Sequence, residues 1–227
     1  MSRDLYSALS GAFGAWRQLE VVANNIANAD TTGFKGERVT FEGRGPDGAY
    51  ARIADGVMDP RDGAPEATGL PTDIALQGEG WLLVQAPGGA PMLTRDGHLH
   101  VDAFDGTLQT ADGLPVLAED GPVIVPPDRS VRISDDGTVL LDDGTELTTL
   151  RMVTAPAEPA GGNLWRASGP IQDIAPRFVA GALESSNVDA VRAMVELVEA
   201  GRSFEQFQKV LQTSDELDAR LNEYGRG

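Results

Sequence analysis

Residues 5–29 read LYSALSGAFGAWRQLEVVANNIANA, and the spacing of their apolar side chains decides how the chain begins. Leu5, Ala8, Ala12, Ala15, Leu19, Val22, Ile26 and Ala29 recur at alternating intervals of three and four. That is the a/d pattern of a helix that packs along another helix. Leu9, Trp16 and Ala23 widen the stripe on one side, and the small residues Ala8, Ala12 and Ala15 allow a partner to approach closely. Such a helix is about 37 Å long at roughly 1.5 Å per residue. It is expected to stop near Asp30-Thr31-Thr32-Gly33, with Gly33 as its left-handed cap.

The far end of the chain has the same character. After Ser185-Ser186-Asn187, apolar residues follow at Val188, Val191, Met194, Val195 and Val198, then at Phe204, Phe207, Val210, Leu211, Leu217 and Leu221. Ser186 with Asp189 resembles a capping box. Glu205–Lys209 and Glu216–Arg220 are i,i+4 pairs in the favourable order. Gly201 weakens the middle of this helix by about 1 kcal/mol relative to alanine. Between the two helices the pattern changes. Asp-Gly stands at 96–97, 105–106, 112–113, 120–121, 136–137 and 143–144, a repeated turn signal. Short apolar or alternating runs separate these turns: 81–84, 98–101, 123–125, 131–133 and 147–153. The expectation is an α+β chain, with long N- and C-terminal helices pairing around or beside one small, antiparallel, mostly β middle domain. The boundaries are 1–42 for the N-terminal helix and its motif, 43–68 for a Gly-, Pro- and Asp-rich linker or extended arm, 69–180 for the β domain and 181–227 for the C-terminal helix. Residues 155–163 read as a loop. The small β domain covers only part of two long apolar stripes. The remainder needs a partner helix, within the monomer or on a neighbouring subunit; burial against the β domain is the plainer alternative.

Composition narrows the function. The chain of 227 residues carries a net charge of −17, most of it in the middle segment. A phosphate backbone or an anionic membrane surface is an unfavourable partner for such a chain. There is no cysteine, hence no disulfide and no thiolate ligand. The start, Met-Ser-Arg-Asp-Leu-Tyr, lacks the basic head and apolar run of a cleaved signal peptide, and no stretch has the ~20 apolar residues of a membrane span. His98 and His100 alternate on one expected strand, and two ligands without a third are a weak zinc signal. Asp135-Asp136-Gly137 and Asp142-Asp143-Gly144 lack the spacing of a calcium loop and read as hairpin turns. A metal- or carbohydrate-active β-domain enzyme is the reading these residues leave for a different class. No cofactor and no catalytic, cofactor-binding or metal residues are expected.

Several motifs carry a resemblance. Residues 24–35, NNIANADTTGFK, look like the rod-protein signature of flagellar basal bodies, an N-terminal helix closing on an asparagine-rich run and then T-x-G-[FY]-K. Ala8-Leu9-Ser10-Gly11 is similar to the family's start. Residues 181–188, GALESSNV, resemble the motif that opens its terminal helix, and 212–216, QTSDE, its closing run. Residues 69–81, GLPTDIALQGEGW, and 94–97, TRDG, resemble the central stretch of rod and hook subunits, with Trp81 where the family usually has Phe. The resemblance spans nearly the whole chain. One β domain and a short segment ahead of it make the chain most similar to the proximal-rod members, with a distal-rod subunit as the alternative.

The resemblance implies a structural subunit exported through the flagellar export apparatus, without a cleaved signal peptide, to the periplasmic rod of the basal body. There it would stack helically with other proximal and distal rod subunits and with itself, and transmit torque for motility. Its terminal helices would form the inner layer. On that picture Leu5, Ala12, Leu19, Val22 and Ile26, with Val191, Val195, Val198, Phe207 and Leu211, make the assembly interface. Asn24, Asn25 and Asn28 either hydrogen-bond to adjacent subunits or cap and solvate the helix end. Gly33, Phe34, Lys35 and Asn187 are residues of the structural motif. Nucleic acid and membrane insertion are not expected.

Overall fold

A computed structural model describes residues 3–44 and 50–224, with the side chains of 7–40, 56–214, 216 and 217. Helix α1 runs Arg3–Ala27 and helix α2 runs Ala190–Tyr224. The segment between them is mostly β, so the chain is α+β. After α1 come β1 (Glu37–Arg44) and β2 (Tyr50–Met58), then β3 (Pro65–Ala67), β4 (Ile74–Leu76), β5 (Trp81–Gln85) and β6 (Pro91–Thr94). The chain continues through β7 (Leu99–Val101), β8 (Leu108–Thr110), β9 (Leu117–Ala118), β10 (Gly121–Pro122), β11 (Val131–Ile133), β12 (Thr138–Leu141) and β13 (Glu146–Thr149). It closes with β14 (Met152–Thr154), β15 (Ala157–Gly161), β16 (Leu164–Ala167), β17 (Gln172–Ile174), β18 (Phe178–Ala180) and β19 (Ala182–Glu184).

The described residues fall into two compact units. One gathers α1, the β1–β2 hairpin and α2; the other holds residues 30–35 and 60–187. In the second unit the largest sheet has the antiparallel order β15-β16-β6-β5-β14-β17. A three-stranded sheet, β11-β12-β13, and the hairpins β7–β8 and β9–β10 add to it. Two pairings bring distant sequence together: β18 runs against β4 and β19 against β3. These sheets enclose one apolar core that includes Ile74, Leu82, Val84, Leu99, Leu108, Val116, Val139, Leu150 and Met152. Burying such a set is the main favourable term in holding the strands together.

Several sequence expectations shift in detail. The α1 ladder ends at Ala27, where the amide of Asn28 donates back to the carbonyls of Asn24 and Asn25 at 3.2 Å. Gly33 lies beyond that end and is not its cap. Its positive φ of 65° serves a different purpose: its amide donates to the Glu184 carbonyl at 2.7 Å, and a Cβ there would stand 2.3 Å from the Arg95 carbonyl oxygen. At the start of α2 the cap is Asp189, not Ser186, since Asp189 Oδ1 accepts from the Arg192 amide at 3.1 Å. Residues 43–68, read as a linker or arm, hold the end of β1, all of β2, and β3. The Asp-Gly pairs at 105–106, 112–113, 120–121, 136–137 and 143–144 place glycine at positive φ, as turns require; Gly97 does not. It is a point of close approach instead, where a Cβ would meet the Ile74 carbonyl oxygen at 1.7 Å. Residues 157–161, expected in a loop, form β15. Val123–Val125 stays outside the strands but is tied to them by backbone bonds: the Leu108 amide donates to the Val123 carbonyl, the Val123 amide to the Val116 carbonyl and the Val125 amide to the Gly106 carbonyl, with a bridge from Thr107 to Ile124.

Candidate functional site

Lys35, at the end of the asparagine-rich motif, is almost wholly buried at 1% exposure, and so is Glu184, in the segment that leads to α2. Their charges meet: Lys35 Nζ donates to Glu184 Oε1 at 2.8 Å. The Lys35 ammonium also donates to the Arg61 carbonyl at 2.7 Å and to Asp62 Oδ1 at 3.4 Å, which engages its three protons. Arg95, from the TRDG stretch, closes the other side. Its Nε donates to Glu184 Oε2 at 2.8 Å, one terminal nitrogen donates to the carbonyls of Gly78 and Gly80, and the other to Asp62 Oδ1 and the Leu76 carbonyl. Five guanidinium protons thus find five acceptors. Glu184 Oε1 takes a further bond from the Gly63 amide at 2.8 Å, and Asp62 Oδ2 one from the Gly78 amide at 2.9 Å. Two cations and two carboxylates balance. A buried ion pair is tolerable only when its remaining donors and lone pairs are satisfied, and here they are. The cluster clasps the N-terminal motif, the central stretch and the C-terminal motif at one point of the second unit. Every donor is engaged within the chain, so the arrangement fixes geometry and presents no reactive group.

Around this clasp the rest of the motif is locked. Phe34 is buried, and its carbonyl accepts from the Asn187 amide at 3.3 Å. Asn187 Nδ2 donates to the Arg61 carbonyl at 2.8 Å. Asn163 Nδ2 donates to the Thr32 carbonyl. Farther along the central stretch, fully buried Asp73 accepts from Thr68 Oγ1 at 2.6 Å and lies 2.9 Å from His98 Nδ1. Its own carbonyl accepts from the Gly181 amide. Asp96 is also buried. Burial pushes its carboxyl above the usual carboxylate range, opposed in part by the His98 amide that donates to it. His98 is committed to Asp73 while His100 stands exposed. Among the described residues no group of three or more acidic or histidine side chains is placed to hold a metal ion.

In the other unit the asparagines bond within the chain. Asn25 grips the peptide of Glu37 from both sides, Nδ2 to the carbonyl at 2.8 Å and Oδ1 from the amide at 2.9 Å. Asn28 Nδ2 donates to the Asn24 carbonyl and to Asn24 Oδ1, across one helical turn. The apolar residues of the two helices divide. Ala12 and Val22 are buried within the single chain, and Leu19 and Ile26 are half-buried. Leu5 lies on α1, with its side chain outside the described residues. On α2, Phe207 and Leu211 are half-buried, and the Phe207 ring lies so close to Gly11 that a Cβ there would stand 2.4 Å from Cε1. Val191, Val195 and Val198 instead face out, at 73%, 56% and 53% exposure, with Met194 beside them. On α1, Leu9, Phe13 and Trp16 are exposed as well. No helix of the described residues is long and apolar enough to cross a membrane. Arg95, Glu184 and Asp62 were not among the residues expected from sequence to matter. Arg95 and Glu184 stand inside the motifs all the same, and a charged residue amid Gly and apolar neighbours was the available signal.

Comparison with known proteins agrees with the geometry. The family model described as "Flagella basal body rod protein" matches residues 5–35, "Flagellar hook protein FlgE/F/G D1 domain" matches 75–141, and "Flagellar basal body rod FlgEFG protein C-terminal" matches 179–223. Each match contains a member of the clasp: Lys35, Arg95 and Glu184 respectively. The chain is 33% identical over 248 residues to the flagellar basal-body rod protein FlgF of Escherichia coli, covering 98% of both chains. Identity and coverage are the same with FlgF of Salmonella typhimurium. With the flagellar basal-body rod protein FlgG of Bacillus subtilis the identity is 32% over 257 residues, covering 96% of this chain and 97% of the relative. Sequence, helix-flanked β architecture and motif placement converge: the chain belongs to the flagellar basal-body rod protein family.

Proposed function

We propose that the chain is a structural subunit of the flagellar rod, of the proximal, FlgF-like kind, that stacks with neighbouring rod subunits through its paired terminal helices. In this role it transmits torque and makes or breaks no covalent bond, and it needs no cofactor. The observation that carries the reading is the apolar face of α2. Val191, Met194, Val195 and Val198 lie at i, i+3, i+4 and i+7 and all stand in solvent. A helix of this length does not keep such a stripe uncovered in its working state. Contacts between unlike faces of successive copies or subunits generate open helical assemblies, which is the geometry a rod requires. The reading further places the protein in the periplasm, delivered by the flagellar export apparatus. A distal-rod role is the second reading, favoured by the similarity to FlgG.

Deleting the gene in its host, then imaging isolated basal bodies by electron microscopy beside a swimming assay, tests this. Rings lacking a completed rod, with swimming restored by the intact gene, are the expected result, and the stage of arrest separates proximal from distal. Normal basal bodies and normal swimming would exclude an essential rod subunit.

A further inference from the structure

The β7–β8 hairpin ends in a short turn, Asp102-Ala103-Phe104-Asp105-Gly106. Phe104 at its tip is fully exposed, at 101%. The turn that carries it is tightly organised. Asp102 Oδ1 accepts from the amides of Phe104 at 2.7 Å and Asp105 at 3.2 Å, and the Asp102 carbonyl from the Gly106 amide at 3.0 Å. Asp105 Oδ1 accepts from the Thr107 amide at 2.8 Å, a bond that holds its carboxyl below the usual range. The turn is tied down behind by Val125, whose amide donates to the Gly106 carbonyl, and the adjoining Ile124 is itself 61% exposed. A large aromatic side chain held in water by a turn braced with four hydrogen bonds of its own and a fifth from Val125 is a preorganised anchor. Its backbone ordering is complete before any partner arrives, which removes part of the cost of association. Aromatic anchors of this kind dominate binding energy where they fill a socket.

We infer that Phe104, with the exposed Ile124 on the segment bridged to Thr107, is a knob on the β unit that docks into an apolar socket rimmed by basic residues on a different protein. Two acidic residues, Asp102 and Asp105, stand on either side of Phe104 in the turn, so the complementary rim is cationic. The same carboxylates disfavour anionic lipid. A second copy of this chain is a poor host, because the segment around the knob carries most of a net charge of −17. This contact lies on the β unit and is additional to the helix-mediated stacking proposed above.

Site-specific photo-crosslinking in the host tests the knob. A photoreactive phenylalanine analogue at position 104 is compared with the same group at Val195 on α2, in a strain lacking the native gene. Phe104→Ser is assayed for swimming and thermal melting, with Ile171→Ser, another exposed apolar site on the β unit, as control. The expected result is an adduct from position 104 with one other protein, mapped by mass spectrometry to an apolar segment flanked by Lys or Arg. Phe104→Ser then loses the swimming halo with its melting curve unchanged, while Ile171→Ser swims. An adduct only between copies of this chain, or an adduct segment without basic flanks, overturns the inference. An adduct from Val195 with none from 104 overturns the knob and leaves the rod reading standing. Adducts from neither position overturn both.

Discussion

Glu184 lies between two cations from distant parts of the sequence, Lys35 at a separation of 149 residues and Arg95 at 89. Replacing it with glutamine keeps its size and removes its charge. Two buried cations would then face Asp62 alone, and one of the Glu184 acceptor positions would become a donor aimed at a donor. Removing one partner of a buried pair typically costs about 3–5 kcal/mol. Urea unfolding of Glu184→Gln should show a loss of that order; a loss within about 1 kcal/mol would mean that the clasp does not hold the motifs. Asp96 makes a second test at this scale, through pH. Its folded-state pKa is raised by burial, so the native state binds the proton more tightly than the unfolded chain. Its contribution to stability is therefore fully present below the ordinary aspartate value of about 3.9 and is lost as pH rises through the folded value. Asp96→Asn cannot ionise but keeps an acceptor for the His98 amide. Its melting temperature relative to the parent protein should rise between pH 4 and pH 7. A difference constant across that range would show that Asp96 does not titrate as its burial implies.

At the level of elements, α1 and α2 meet where Phe207 lies over Gly11. An alanine in a helix interior is normally worth about 1 kcal/mol over glycine. Here the added methyl group meets a ring at 2.4 Å, and overpacking of this sort costs about 1–3 kcal/mol. Gly11→Ala should therefore destabilise the helical unit, followed by far-ultraviolet circular dichroism on heating. In a Phe207→Ala background the same substitution should become stabilising. A double-mutant cycle without that change of sign would remove the contact. The helices themselves were legible because three-four spacing over many turns has no strand reading. What covers each face was not, because periodicity marks an apolar stripe without naming its partner: Val22 is covered within the chain while Val195 is not. Strand β15 escaped notice because Ala157-Glu158-Pro159-Ala160-Gly161 has proline and no β-branched residue. It is an edge strand, where a missing amide donor is tolerated. The clasp escaped for another reason. Its residues stood within recognisable motifs, but pairing across more than a hundred residues leaves no trace in local spacing.

For the whole molecule, the decisive question is which apolar residues hold the chain together and which are kept for its neighbours. Val22 and Val195 separate the two. Val22 is 5% exposed, so Val22→Asp puts a carboxylate in place of a buried apolar side chain, at a cost of several kcal/mol. The isolated protein should lose helix content and melt at a lower temperature. Val195 is 56% exposed, so Val195→Asp should leave the isolated protein folded, with its melting temperature within a few degrees of the parent. In the host the two variants should nevertheless agree in failing to build a rod. Val22→Asp fails because the subunit is unstable. On the proposed stacking, Val195→Asp fails because a charge enters a surface that the assembly would bury between subunits, where an unpaired carboxylate is as unwelcome as in a core. Melting curves of the purified proteins together with swimming halos of the complemented deletion strain read both arms. If Val195→Asp swims like the parent, the outward stripe of α2 is not an assembly surface, and stacking must be sought on other faces of the molecule.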